Sequence, residues 1–302
     1  VVNKSSSLSK NIVTDLLRDE MNYDGIIFTD GLEMKAAYNG IDPDSVCLQA
    51  IMAGNDIMLL PIDVEASMQI VIDAAKNNPD VKNRVEESCK KILRYKYQLG
   101  LNNYESQSAE RLNNDLHQSR YYNLKQRLYN EAVTMLVNKK NVLPLKKNND
   151  KKIAVVTFGK DNSISKRLND NGIENTPFLL NKDASSEEMK RTAKQLKSYD
   201  YVVLNIRNTS SYPSKNYGIT PAMISFVDNI PNSTKLIFNL FGSPYAVDKF
   251  TFGRNISSLL IGYEDNVMVE NAIVDVLVGK MSPKGKLPVS LKKYKCGYGL
   301  EY

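Results

Sequence analysis

Asp30 ends a short apolar run, Gly25-Ile26-Ile27-Phe28-Thr29, and is the residue whose type and setting most invite chemistry. A carboxylate at the carboxyl end of a parallel strand stands where barrels and open α/β sheets receive their ligands. An Asp after a strand is more often a helix cap or a loop residue, so position alone assigns it no reaction. Other reactive groups are few. His117 is the only histidine, which removes Ser-His and Cys-His triads and a histidine-based zinc site. Cys47, Cys89 and Cys296 are odd in number and form no C-x-x-C pair, so buried free thiols are expected and a metal is not. Only Gly159-Lys160-Asp161-Asn162-Ser163 follows the first strand of the later half. With neither G-x-G-x-x-G nor a P-loop there, no nucleotide cofactor is expected.

The elements that must position Asp30 alternate helix and strand. Ser9 can cap a helix carrying Ile12, Val13, Leu16 and Leu17 at helical spacing, and Asn22-Tyr23-Asp24-Gly25 is a turn. Residues 25–29 read as a strand buried on both faces. A helix over 45–53 stopped by Gly54, a buried strand over 55–61 and helices near 64–76 and 81–99 follow. Parallel strands need crossover helices, so residues 1–100 are α/β. Over 101–150 Asn and Gln become frequent, and a long amphipathic segment runs from His117 to Val137; this stretch reads as a linker with a long helix. In 151–302 four buried strands, near 153–158, 201–206, 236–240 and 258–261, alternate with helices, which predicts an αβα sandwich with a mostly parallel sheet.

The stretch Leu16-Leu17-Arg18-Asp19-Glu20-Met21-Asn22-Tyr23-Asp24-Gly25-Ile26-Ile27-Phe28-Thr29-Asp30 resembles the signature of glycoside hydrolase family 3, an LR-x-E helix and a (F/Y)DG turn feeding a barrel strand that ends in (T/S)D. Ala50-Ile51-Met52-Ala53-Gly54-Asn55-Asp56 is similar to the family's A-I-x-A-G-x-D step. Lys91-Ile92-Leu93-Arg94-Tyr95-Lys96-Tyr97-Gln98-Leu99-Gly100-Leu101 resembles its R-I-L-x-x-K-x-x-L-G-L block. Gly279 to Ser290 and Gly297 to Tyr302 look like the close of its second domain.

The resemblance implies that 1–100 hold the last strand-helix units of a (β/α)8 barrel, and that an upstream barrel segment of the same polypeptide is needed for activity. It implies that Asp30 is the nucleophile of a retaining glycosidase, that Met34 contacts the sugar unless it merely packs, and that Asp56 is structural. Glu33 is expected to be solvated. The family's acid is a Glu in a loop of the second domain in its β-glucosidase branch, and an Asp-His pair upstream of the nucleophile in its β-N-acetylglucosaminidase branch. The corresponding loop here, 207–218, has no carboxylate, and Thr29-Asp30-Gly31-Leu32-Glu33-Met34 is closer to TD-x-L-x-M than to SDW. The expectation is therefore an exo-β-N-acetylglucosaminidase acting on glycans or peptidoglycan fragments, with a family 3 β-glucosidase or β-xylosidase, or a non-catalytic carbohydrate-binding or structural module, as alternatives. Arg207, Tyr212 and Tyr217 are where the second domain would reach a sugar.

Composition agrees with a folded chain: 42% hydrophobic and 25% charged residues are close to globular averages. The net charge of +6 is spread over 40 basic and 34 acidic residues, without the dense, aromatic-laced basic patch of a nucleic-acid binder. No run is long enough to span a membrane, and no charged segment precedes an apolar one at the start. Substrates of this kind favour the periplasm or the outside of the cell over the cytoplasm.

Overall fold

The computed structural model describes residues 4–38, 40–106, 108–147 and 150–302. Residues 1–3, at the head of the expected first domain, and 107, 148 and 149, within the expected linker, lie outside the described residues. The chain divides into two compact units, Val1–Ser108 and Ala109–Tyr302.

In the first unit a wide helix of π register, Asn11–Glu20, leads to strand β1 (Phe28–Gly31). Helix α1 (Val46–Ala53) then brings the chain to β2 (Ile57–Leu59), which pairs parallel with β1. Gly54 ends α1 in the left-handed region at φ 114°, which glycine adopts without a Cβ penalty. Helices α2 (Val64–Asn77) and α3 (Pro79–Gln98) close the unit. Each begins with a side-chain cap, Asp63 accepting from the Ala66 amide and Asn78 from that of Asp80. Two small cores hold it together, one around Leu8, Leu32, Val46, Cys47 and Ala50, the other around Val13, Ile27 and Ala53.

β1 is not buried on both faces. Its residues alternate, with Thr29 and Gly31 buried and Phe28 and Asp30 exposed, and Phe28 is 58% accessible. The apolar composition of 25–29 says that the strand can be covered, but not on which side a neighbour lies within this unit.

The second unit is an αβα sandwich. It opens with α4 (Leu112–Leu116), α5 (Ser119–Ala132) and β3 (Thr134–Asn138). There follow β4 (Ile153–Phe158), α6 (Ser163–Asp170), β5 (Thr176–Leu180), α7 (Ser186–Gln195) and β6 (Tyr201–Ile206), then α8 (Pro221–Asp228), β7 (Lys235–Leu240), β8 (Ile256–Ile261) and α9 (Val267–Leu277). The six strands lie in the order β3-β8-β7-β6-β4-β5, all neighbours parallel except β3, which runs antiparallel to β8. Alternation along the strands sends Val156, Leu204 and Phe238 to a core shared with α7 and α8, and Val155, Val203 and Ile237 to one shared with α6 and α9.

Residues 109–150, expected as a linker, therefore belong to the second unit: β3 is an edge strand of its sheet. The helix expected over 117–137 stops at Ala132, and β5 joins the four strands expected.

Candidate active site

β1 and β2 are tied together where they begin. The Ile27 amide donates to Asp56 Oδ2 at 3.0 Å, while the amides of Asp56 and Ile57 donate to Ile27 O at 2.8 and 3.1 Å. Buried Thr29 accepts from the Leu59 amide at 2.9 Å, and the Leu32 amide donates to Leu59 O at 2.9 Å. These bonds fix the strand that carries Asp30 on both sides of that residue.

Asp30 itself is exposed at the carboxyl end of β1. Its backbone amide donates to Ser7 Oγ at 3.0 Å, and its Oδ1 accepts from the Gly31 amide at 2.9 Å. Among the described residues Oδ2 has no hydrogen bond. One oxygen is thus oriented by the backbone and the other is open, an arrangement in which a carboxylate can attack an electrophilic carbon.

Met34 lies in the turn that follows, its amide donating to Gly31 O at 3.2 Å. Leu32 and Ala37 of this turn are buried, whereas Met34 stays 48% accessible. Glu33 is exposed, as expected.

Asp56 is buried and structural. Its carboxylate accepts from Arg18 at 2.6 Å, Arg84 at 3.0 Å and Ser88 Oγ at 2.7 Å, with Lys91 at 3.7 Å. Burial alone would raise its pKa. The hydrogen bonds from Ser88, the Ile27 amide, Arg84 and Arg18 outweigh that and hold it at about 2.

The second-unit residues divide. Arg207, expected to reach a ligand, is tied into the fold. Nε donates to Asp265 at 2.8 Å, Nη1 to Asp161 at 3.2 Å and Ser163 Oγ at 3.1 Å, and Nη2 lies 2.6 Å from Glu270. All three nitrogens are engaged, and the guanidinium sits over the Phe241 ring. Tyr217 is half-buried, stacked on Tyr245 at 6.2 Å. Tyr212 stays exposed at 61% accessibility, with Lys215 over its ring. Loop 207–218 contains no carboxylate, yet folding brings Asp161 and Asp265 to its first residue. The signal available in the sequence was their position just beyond β4 and β8, where a parallel sheet gathers its loops.

His117 is exposed, its Nδ1 3.0 Å from Asn113 O. Of the thiols Cys47 is buried, but Cys89 and Cys296 are exposed, against expectation, because each lies on the solvent side of its segment. Among the described residues no group of three or more His, Cys, Asp or Glu is placed to hold a metal, and no helix is long and apolar enough to cross a membrane.

Two parallel strands with an exposed carboxylate at their carboxyl ends, followed by a mostly parallel αβα sandwich, define a two-unit α/β protein. The glycosyl hydrolase family 3 N-terminal domain matches residues 2–95 and the family's C-terminal domain matches 133–300, so the chain belongs to glycosyl hydrolase family 3. A β-hexosaminidase A from Pseudoalteromonas piscicida is 29% identical over 154 residues, 48% of this chain and 25% of that protein. Among solved structures, a family 3 β-N-acetylglucosaminidase from Paenibacillus sp. superposes with a TM-score of 0.73 at 20% identity, over 93% of this chain and 54% of that one. A β-glucosidase from Listeria innocua does so with 0.74 at 17%, over 99% and 50%. These likenesses show the fold: part of a barrel, then an αβα domain. Where nearly all of the chain aligns, it spans 38% to 44% of the curated relatives' length.

Proposed function

We propose that the protein is a retaining glycoside hydrolase that releases terminal N-acetylglucosamine, with Asp30 as its nucleophile. The observation that carries this reading is the Asp30 carboxylate itself, exposed at the end of β1, with Oδ1 held by the Gly31 amide and Oδ2 open. In a retaining mechanism one carboxylate attacks the anomeric carbon as a second acid protonates the departing oxygen; water then releases the sugar from the covalent ester. Asp30 supplies the attack. The acid is not assigned to this chain: Asp161, Asp265 and Glu270, the carboxylates that folding brings to the start of loop 207–218, are all paired with Arg207.

The preference for N-acetylglucosamine rests on Thr29-Asp30-Gly31-Leu32-Glu33-Met34 and on the lack of a carboxylate in loop 207–218. Exposed Met34 is the residue of that stretch proposed to meet the sugar. The second reading, a β-glucosidase or β-xylosidase, is favoured by a sequence likeness to a putative β-xylosidase from Formosa agariphila, 23% identical over 93% of this chain and 41% of that protein. In either reading further strands flank β1 in the active barrel, since Phe28 is uncovered.

The test is to incubate the protein, with all of its barrel present, with a 2-fluoro or equivalent mechanism-based sugar and map the adduct by peptide mass spectrometry. An ester on Asp30 is expected, and a label elsewhere, or none with active enzyme, removes the assignment. Faster turnover of nitrophenyl glucoside than of nitrophenyl N-acetylglucosaminide would move the substrate to the second reading.

A further inference from the structure

At the opposite end of β1 from Asp30, the first unit has a cavity of about 490 Å³ with a pronounced excess of positive charge. Arg18, Arg84, Lys90, Lys91 and Arg94 line it, against one lining carboxylate, Glu87. Beneath them buried Asp56 is shared by three cations, Arg18 at 2.6 Å, Arg84 at 3.0 Å and Lys91 at 3.7 Å. One carboxylate cannot neutralise three cations. Glu87 reaches Arg84 only at 3.8 Å, from an exposed position, and Lys90 pairs outward with Glu86 at 3.5 Å. The Arg94 side chain has no hydrogen bond or ion pair among the described residues.

The surplus is built in. Arg18 and Arg84 are fixed by bonds to Gly54 O at 2.9 and 2.7 Å, and Arg84 also donates to Ser88 Oγ at 2.8 Å. Lys91 Nζ is steered by Gly25 O at 3.4 Å. Holding like charges together in a half-buried wall is unfavourable until an anion joins them, and it spares that anion the cost of arranging its donors. Burial, with Arg18 and Arg84 adding to it against Asp56, pulls the Lys91 ammonium below its ordinary range. The hydrolysis of a neutral glycoside gives this cavity no part.

We propose that this cavity is a binding site for a small doubly charged oxyanion, an inorganic phosphate or the phosphate group of a monoester, held by Lys91 and Arg94 beside the charges of Arg18 and Arg84. Lysine and arginine donors on phosphate oxygens make charge-assisted hydrogen bonds, the strong class of such contacts.

The test is calorimetric titration of the folded protein with inorganic phosphate and, separately, glucose 6-phosphate, chloride holding ionic strength constant. A saturable single-site isotherm is expected for at least one of them. Tighter binding of the sugar phosphate by about tenfold or more would identify a monoester as the ligand, and equal affinities the free ion. Arg94→Ala should weaken binding about tenfold, and Lys91→Met with Arg94→Ala should abolish it. Lys82→Ala, on α3 but outside the cavity, should leave it unchanged. Arg94 is exposed and Asp56 keeps two arginines in the double variant, so the fold survives both changes. No saturable binding of either probe, or equal weakening by Lys82→Ala, overturns the proposal.

Discussion

Asp56 and Arg207 share a design: a carboxylate buried in the first unit and a largely covered guanidinium in the second are each surrounded by opposite charges drawn from distant parts of the chain. Removing one partner of such a group strands the others, which costs more than the pair contributes. Asp56→Asn should destabilise the first unit by about 3–5 kcal/mol in urea unfolding, because Arg18, Arg84 and Lys91 lose their common carboxylate. The same group sets an acid limit. Its folded pKa of about 2 lies below the ordinary aspartate value. Its stabilisation, about 2 kcal/mol, is therefore complete above pH ~4 and falls away as pH drops from there toward 2. Urea midpoints of wild type and Asp56→Asn measured down that range should converge, and parallel curves would show that Asp56 is not the group responsible. In the second unit Arg207→Met should cost about 3–5 kcal/mol by leaving Glu270 with only the 3.5 Å contact from Arg167. A variant as stable as wild type but weaker in substrate binding would return Arg207 to the ligand-contacting role read from the sequence.

At the scale of elements, Gly54 joins α1 to β2 at φ 114°, and a Cβ there would meet the side chain of Thr14. Its carbonyl also accepts from Arg18 and Arg84. Gly54→Ala should therefore lower stability by about 1–3 kcal/mol, seen as a lower thermal midpoint. Most elements were legible because period and punctuation agreed: Gly54 and Gly100 closed the helices before them, and short apolar runs marked β4, β6, β7 and β8. β3 was not, since Ala132-Val133-Thr134-Met135-Leu136-Val137 continues an apolar pattern that periodicity cannot divide between helix and strand. β5 was hidden by Pro177, which suits an edge strand and reads as a breaker elsewhere. In the candidate site, Asp30 was legible because local sequence delivers it to a strand end. The commitment of Arg207 was not, because Asp161 and Asp265 reach it from the loops after β4 and β8 and Glu270 from the first turn of α9, a pairing that only the folded unit creates.

For the whole molecule, the two units differ in how complete their cores are. The second has an apolar layer on each face of its sheet. A fragment spanning 109–302 should unfold in one cooperative urea transition without binding the dye ANS, whereas a broad transition with dye binding would show that it depends on the first unit. A fragment beginning at 151 should fail that test, because it lacks β3. That strand pairs with β8, and its Met135 carbonyl accepts from the Leu300 amide at 2.8 Å while the Val133 carbonyl accepts from Gly285 at 3.0 Å. On the ribosome, then, Met135, Leu136 and Val137 emerge well before anything they can bind to. At about 5–20 residues per second the wait for β8 is on the order of ten seconds, and the final latch at Leu300 arrives later still. During translation this nascent strand is an open invitation to misassembly, and a holding chaperone would find its grip there.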